Sequence, residues 1–131
     1  MLFLLDTNAV IALLNDSASA VAQRARQYSP VDIGMSAIVG HELFYGAFKS
    51  KRVERNVALV DSLRFEVVDF DKEDARHAGA IRAALGALGR TIGPYDVLIA
   101  GQARARNLTL VSHNKREFGR VPGLAVEDWQ A

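Results

Sequence analysis

The chain is 131 residues long, carries a net charge of +1 and contains no cysteine. That length suits one domain, residues 1–131, with a substantial core; the lack of cysteine excludes a disulfide framework, a thiolate metal site and cysteine catalysis. Near-neutral charge selects no partner class, although Lys49, Lys51, Arg52 and Arg55 cluster, as do Lys115, Arg116 and Arg120. Taken alone these clusters read as solvated surface, and both could meet phosphates.

Leu2 to Leu5 is a short apolar run ending at Asp6, which suits a strand buried on both faces. The run meets an acid too early for a signal peptide, and no apolar stretch approaches the ~20 residues needed to span a bilayer. A cytoplasmic protein without membrane contact is expected. Thr7 or Asn8 can cap a helix whose apolar face holds Val10, Ile11, Leu13 and Leu14. Ser17 to Tyr28 reads as a second helix and Asp32 to Met35 as a second strand. Ser36 then caps a helix with Ile38, Val39, Leu43, Tyr45 and Phe48 at helical spacing, and Glu42 lies within it. Val53 to Leu63 is amphipathic, and Phe65 to Phe70 reads as a strand. Asp71 can cap a long helix towards Leu88, with Ala75, Ala78, Ile81, Ala84, Leu85 and Leu88 inward and Gly89 as its stop. Gly93 and Pro94 open a helix running towards Arg106. Leu108 to Ser112 is a further buried strand, Gly119 to Gly123 a loop, and Leu124 to Val126 a last short strand. Such alternation predicts an α/β fold with a mostly parallel sheet covered by helices on both faces.

In open sheets of this kind ligands bind beyond the carboxyl ends of the strands. Asp6 ends the first strand, and Glu117 follows the Leu108 strand. Asp96 lies in the first turn of its helix, and Glu42 follows Ser36 by one to two turns. Ionised acids gathered at one edge repel each other, and a hard divalent cation resolves the conflict. Mg²⁺ takes oxygen ligands, keeps several waters and is commonly held by one or two carboxylates plus substrate phosphates. Each acid also has a plain structural use: Asp6 as a helix cap, Asp96 against a helix dipole, Glu42 towards water, Glu117 in a local ion pair. Capping, however, does not require them to share an edge. His41, His77 and His113 have no metal-ligand spacing. His77 reads as a boundary residue and His113 as an exposed loop residue beside the acids. Phe44, Tyr45 and Phe48 read as core or interface, and Trp129 as packed on the body or a partner.

The segments Leu4-Leu5-Asp6-Thr7-Asn8, Glu42-Leu43-Phe44-Tyr45-Gly46-Ala47, Gly93-Pro94-Tyr95-Asp96-Val97-Leu98-Ile99-Ala100, Val111 to Phe118 and Val121-Pro122-Gly123-Leu124 occur in the order found in PIN-domain nucleases. More narrowly the chain resembles the VapC toxins of VapBC toxin–antitoxin systems. Each piece is weak alone; five in order, over nearly the whole chain, are specific. The resemblance implies a three-layer α/β/α fold and a Mg²⁺-dependent endoribonuclease, with Mn²⁺ as a substitute. It implies structured RNA, such as tRNA, as substrate. It also implies a VapB-type antitoxin that blocks the site, and a homodimer or larger toxin–antitoxin complex. By this resemblance Asp6 and Asp96 are the main metal ligands, Glu42 completes the group and Glu117 is a fourth catalytic acid. Many PIN domains have an aspartate where this chain has Asn114, and Glu117 is the candidate replacement. Ser112 keeps a hydroxyl that can orient an acid, and Thr7 and Asn8 could act similarly beside Asp6. A solitary PIN-domain nuclease and a non-catalytic α/β binding module are the alternatives. A receiver-like module would need paired acids after the first strand, and a haloacid-dehalogenase-type phosphatase would need Asp-x-Asp where this chain has Asn8.

Overall fold

The computed structural model describes residues 1–130, and the element bounds follow from local chemistry. β1 (Phe3–Leu5) is buried at every position and ends at Asp6, which becomes the cap of α1 (Thr7–Asn15). The carboxylate, rather than Thr7 or Asn8, accepts the orphan backbone donor of that helix, so the two expected caps lie inside the helix instead. α2 (Ala20–Ala25) is shorter than the expected Ser17–Tyr28 helix. Asp16 accepts from the Ala18 backbone N–H in a turn, and Ser19 caps the helix proper. A 3-10 turn at Pro30–Asp32 leads into β2 (Ile33–Ser36), and Ser36 caps α3 (Ala37–Phe48) as expected. α4 (Val53–Asp61) follows.

β3 (Glu66–Val68) occupies only the middle of the expected Phe65–Phe70 strand. It lies at an edge of the sheet and pairs with β2 alone, so half of its backbone groups have no ladder partner to extend it. α5 (Lys72–Ala87) begins at a capping box made by Asp71 and Asp74, and Gly89 beyond it takes φ +66°. α6 (Pro94–Ala105) starts with proline at its first position, and β4 (Thr109–Val111) leads to α7 (Lys115–Phe118) and β5 (Val126–Glu127). The last strand is displaced from the expected Leu124–Val126 because the Gly123 turn, at φ +77°, carries Leu124 back towards Val121. α7 has no counterpart among the expected elements. Its signal is Asn114 followed three residues later by Glu117, a capping pattern.

The five strands run in the order β3-β2-β1-β4-β5, and each adjacent pair is parallel. Right-handed crossovers place α1–α4 over one face and α5–α7 over the other, giving three layers. Leu4, Leu5, Met35, Leu110 and Val111 fill the middle of one continuous core. Phe3, Tyr28 and Trp129 form an aromatic cluster: the Phe3 ring lies 4.9 Å from Trp129, and Tyr28 stacks on Trp129 at 5.7 Å.

The inner face of α5 differs from the expected stripe. Ala78, Ile81 and Leu85 are buried, but Ala75, Ala84 and Leu88 are exposed, Leu88 at 71%. The buried row instead begins at Asp74. α5 approaches α6 so closely that a methyl on Gly101 would fall 2.6 Å from the Ala78 backbone. Such contact leaves room for only a narrow row and turns the flanking alanines outward.

Candidate metal centre

In the strand order β3-β2-β1-β4-β5 the chain leaves β1 towards one edge and reaches the other edge through β4, so a crevice opens beyond the carboxyl ends of β1 and β4. Asp6 stands at that point. Its backbone N–H donates to the Val111 carbonyl at 3.0 Å, joining the two strand ends. Its Oδ1 accepts from the Ala9 N–H at 2.9 Å, and the Ser112 hydroxyl donates to the same carboxylate. The side chain is 6% exposed. Burial pushes its pKa up, while these two hydrogen bonds and the nearby His113 oppose the rise. Asp6 is thus a cap and an acid of the crevice at once.

Asp96 is the third residue of α6. Its carboxylate folds back over the helix start, with Oδ2 3.1 Å from where a side chain on Gly93 would begin. Any residue but glycine there would crowd the acid. The Asp96 carboxyl is pushed up to about 6: first by burial, then by the charges of Glu117, Asp6 and Glu42, and by a hydrogen bond with Glu117. The other three acids expected from the sequence thus all lie near enough to act on Asp96. Carboxylates crowded together without a counterion favour the protonated form, which is the direction in which Asp96 is moved.

Glu117 is held by Asn114, whose side-chain amide donates to Glu117 Oε2 at 2.9 Å while its carbonyl oxygen accepts from the Glu117 N–H at 3.4 Å. The Asn114 N–H in turn donates to Ser112 Oγ at 2.9 Å. Ser112 thus links Asp6 to the turn that carries Glu117. Thr7 plays no such part: its hydroxyl is buried without a partner. Asn8 is exposed, and its carbonyl accepts from Gln130 at 3.4 Å. Glu42 is half-buried and reaches the crevice from α3. His113 is exposed and lies 3.0 Å from Asp128, and His77 accepts from Arg104 at 3.0 Å. Tyr45 and Phe48 are not core; both lie on the surface of α3.

Among the described residues no three His, Cys, Asp or Glu side chains form a ready-made cage for a metal ion. The donor set nevertheless fits a hard cation that needs few protein ligands. It is all carboxylate oxygen, and the raised pKa of Asp96 beside three other acids marks uncompensated negative charge.

A family model for the PIN domain matches residues 3–124. The chain is 43% identical over 129 residues to a tRNA(fMet)-specific endonuclease VapC of Shigella flexneri, covering 97% of each protein. The chain is a PIN-domain protein of the VapC family. Its fold matches the toxin-sized chain of solved complexes in the same family. For the DNA-bound VapBC of Salmonella typhimurium the TM-score is 0.93 at 43% identity, covering 98% of this chain and 99% of that one. For VapBC2 of Rickettsia felis bound to a promoter DNA fragment it is 0.92 at 35% identity, with the same coverage. The parallel sheet and the three layers are those of this PIN-domain family.

Proposed function

We propose that this chain is the endoribonuclease toxin of a VapBC-type toxin–antitoxin module, a single domain that acts in the cytoplasm on structured RNA, with tRNA as the substrate class. The observation that carries the reading is the joint effect of Asp6, Glu42 and Glu117 on Asp96 at the crevice beyond β1 and β4. The relative from Shigella flexneri, named for tRNA(fMet) cleavage, supports tRNA. The VapBC complexes among the similar structures support a VapB-type antitoxin as partner. Among the described residues no helix is long and apolar enough to cross a membrane, which agrees with a cytoplasmic site of action.

Asp6 and Asp96 would hold Mg²⁺, or Mn²⁺ in its place, with Glu42 completing the group directly or through water. When bound, the cation supplies Lewis-acid stabilisation of the phosphate and lowers the pKa of an attacking water. The protein's own residues do the rest. Asp6 is locked by the Ala9 N–H and the Ser112 hydroxyl, so its oxygens hold their positions as charge builds. Glu117, oriented by Asn114, would accept the proton of the attacking water while the P–O bond to the leaving ribose oxygen breaks. Charge also explains inhibition: a basic side chain from the antitoxin, set among these acids, forms the charge-assisted pair that a cation would otherwise make. A homodimer, in or out of a larger toxin–antitoxin complex, completes the reading, with exposed Tyr45 and Phe48 available at an interface.

Purified chain free of antitoxin should cleave tRNA with Mg²⁺ or Mn²⁺ and stop on chelation. Asp6→Asn and Asp96→Asn should each lower the rate by about 100-fold or more, the order of loss seen when a catalytic electrostatic group is removed. If both variants cut as fast as the parent, the acidic centre is not the catalytic site.

A further inference from the structure

A second cluster of like charge lies on chain segments that run into those carrying Asp96 and Glu117. Arg90, Arg116 and Arg120 line a surface pocket together with Gly89, Thr91 and Gly119, and no acidic side chain lines it. Three pieces of chain build it: the turn after α5, the helix α7 and the residues that follow α7. The Arg120 guanidinium donates to the Thr91 carbonyl at 3.3 Å and ties the last of these to the first.

Three arginines of the fold have carboxylate partners among the described residues. Arg24 pairs with Glu127, Arg76 with Glu73, and Arg106 with Asp71 and Asp74. Among the described residues Arg90, Arg116 and Arg120 pair with none. Three guanidinium groups around one pocket gather like charge, which a bound anion would offset. The guanidinium fork matches phosphate oxygens, and the two glycines leave the pocket floor without side chains.

Position selects the anion. Arg116 directly precedes Glu117 on α7, and Thr91 lies on the loop that enters Gly93 and Asp96, so the chain segments that build the pocket run directly into those that carry two of the acids. A polyanion gains nothing by approaching four carboxylates through charge alone. A cationic anchor next to them would draw the backbone in and set its register. We propose that Arg90, Arg116 and Arg120 form a phosphate subsite that grips an RNA phosphodiester flanking the one to be cut. The proposal rests on the ribonuclease reading for its choice of ligand.

The test is binding without cleavage. Metal-free parent protein in chelator is titrated into a fluorescent single-stranded oligoribonucleotide, and the dissociation constant is followed over a salt series. Arg90 and Arg116 are exposed and make no side-chain hydrogen bond among the described residues, so R90A and R116A should fold as the parent does. Each should weaken binding about tenfold, as expected for a lost charge-assisted contact. The salt slope should fall by about 0.7 for each phosphate contact removed. Arg116→Lys should keep the slope and recover only part of the affinity, because an ammonium cannot make the two-pronged contact. A control pair, Lys49→Ala with Lys51→Ala, should change neither.

Unchanged affinity and slope in the R90A/R116A double variant would overturn the subsite. So would an equal loss in the lysine control, which reports only general charge, or a defect confined to binding an acidic peptide. If the parent binds through these arginines yet leaves tRNA uncut with Mg²⁺ or Mn²⁺, the nuclease reading fails while the subsite stands.

Discussion

Asp96 carries the clearest electrostatic signature of the molecule. Burial and three neighbouring acids push its carboxyl up to about 6 from an ordinary 3.8. A carboxyl whose folded pKa lies above its unfolded value binds more proton when folded, so stability falls as pH rises through that window, and the full penalty applies above about 6. Metal-free protein should therefore melt at a higher temperature near pH 5 than near pH 7. Asp96→Asn should stabilise the fold at pH 7 by about 1–2 kcal/mol, allowing for solvent screening of a partly exposed group, while abolishing cleavage. Thermal unfolding in chelator across this range checks the sign. A parent whose melting point rises from pH 5 to pH 7, with no gain from the asparagine, would contradict it. Asp74 does not confuse the comparison: burial raises its pKa, but hydrogen bonds led by Arg106 outweigh that and hold it low, so its effect lies at more acid pH.

Asn114 belongs to the same scale. It occupies a place where many PIN domains have an acid, yet it serves the acid beside it, capping α7 and orienting Glu117. Asn114→Ala should cost about 1 kcal/mol through the lost cap and lower the cleavage rate by more than that loss of folded protein explains. Paired unfolding and rate measurements separate the two effects; equal activity per folded molecule would assign Asn114 a purely structural part.

Among the elements, the α5–α6 pair does most to aim Asp96. Its contact depends on Gly101 and on a buried polar lock. Asp74, 1% exposed, accepts from Arg106 at 3.0 Å and from Gln102 at 2.9 Å, while Gln102 also donates to the Asp69 carbonyl. Removing one side of such a lock leaves the other unpaired. Arg106→Ala should destabilise by about 3 kcal/mol because it leaves the buried Asp74 carboxylate without its counter-charge, and Asp74→Ala by somewhat less because the guanidinium left behind keeps some water contact. Denaturant unfolding checks both, and a change within about 0.5 kcal/mol, as at ordinary surface positions, would show the lock to be incidental. This network was hard to see in the sequence, since Asp74 there looks like a first-turn helix acid and its partner lies 32 positions away. A period-based inner face for α5 therefore counted Ala75, Ala84 and Leu88 and overlooked the aspartate.

At the scale of the whole molecule, the acidic centre is a local cost that a ligand can offset. A cation that binds only the folded state should raise the melting temperature, by the equivalent of about 2.7 kcal/mol at 100 times its dissociation constant. The gain should shrink at pH 5, where Asp96 must first lose its proton. Calorimetric scans with Mn²⁺ at the two pH values test this, and equal shifts at both would place the cation elsewhere.

Much of this protein was determined by the order of its residues alone. Short apolar runs ending at Asp6 and Ser112, Ser36 and Asp71 as caps, and Gly93-Pro94 before Asp96 each act over a few neighbouring positions, so the alternation of strand and helix and the four acids could be read directly. The resemblance to PIN-domain nucleases then brought those acids together. Tertiary structure decided the rest, because it depends on groups distant in the chain. Packing at Gly101 chose which face of α5 is buried. Ser112 joined Asp6 to the turn that carries Glu117. The meeting of α7 with the loop after α5 brought Arg90, Arg116 and Arg120 round one basic pocket. Burial and charge at these junctions add through space, and sequence order alone does not measure those distances.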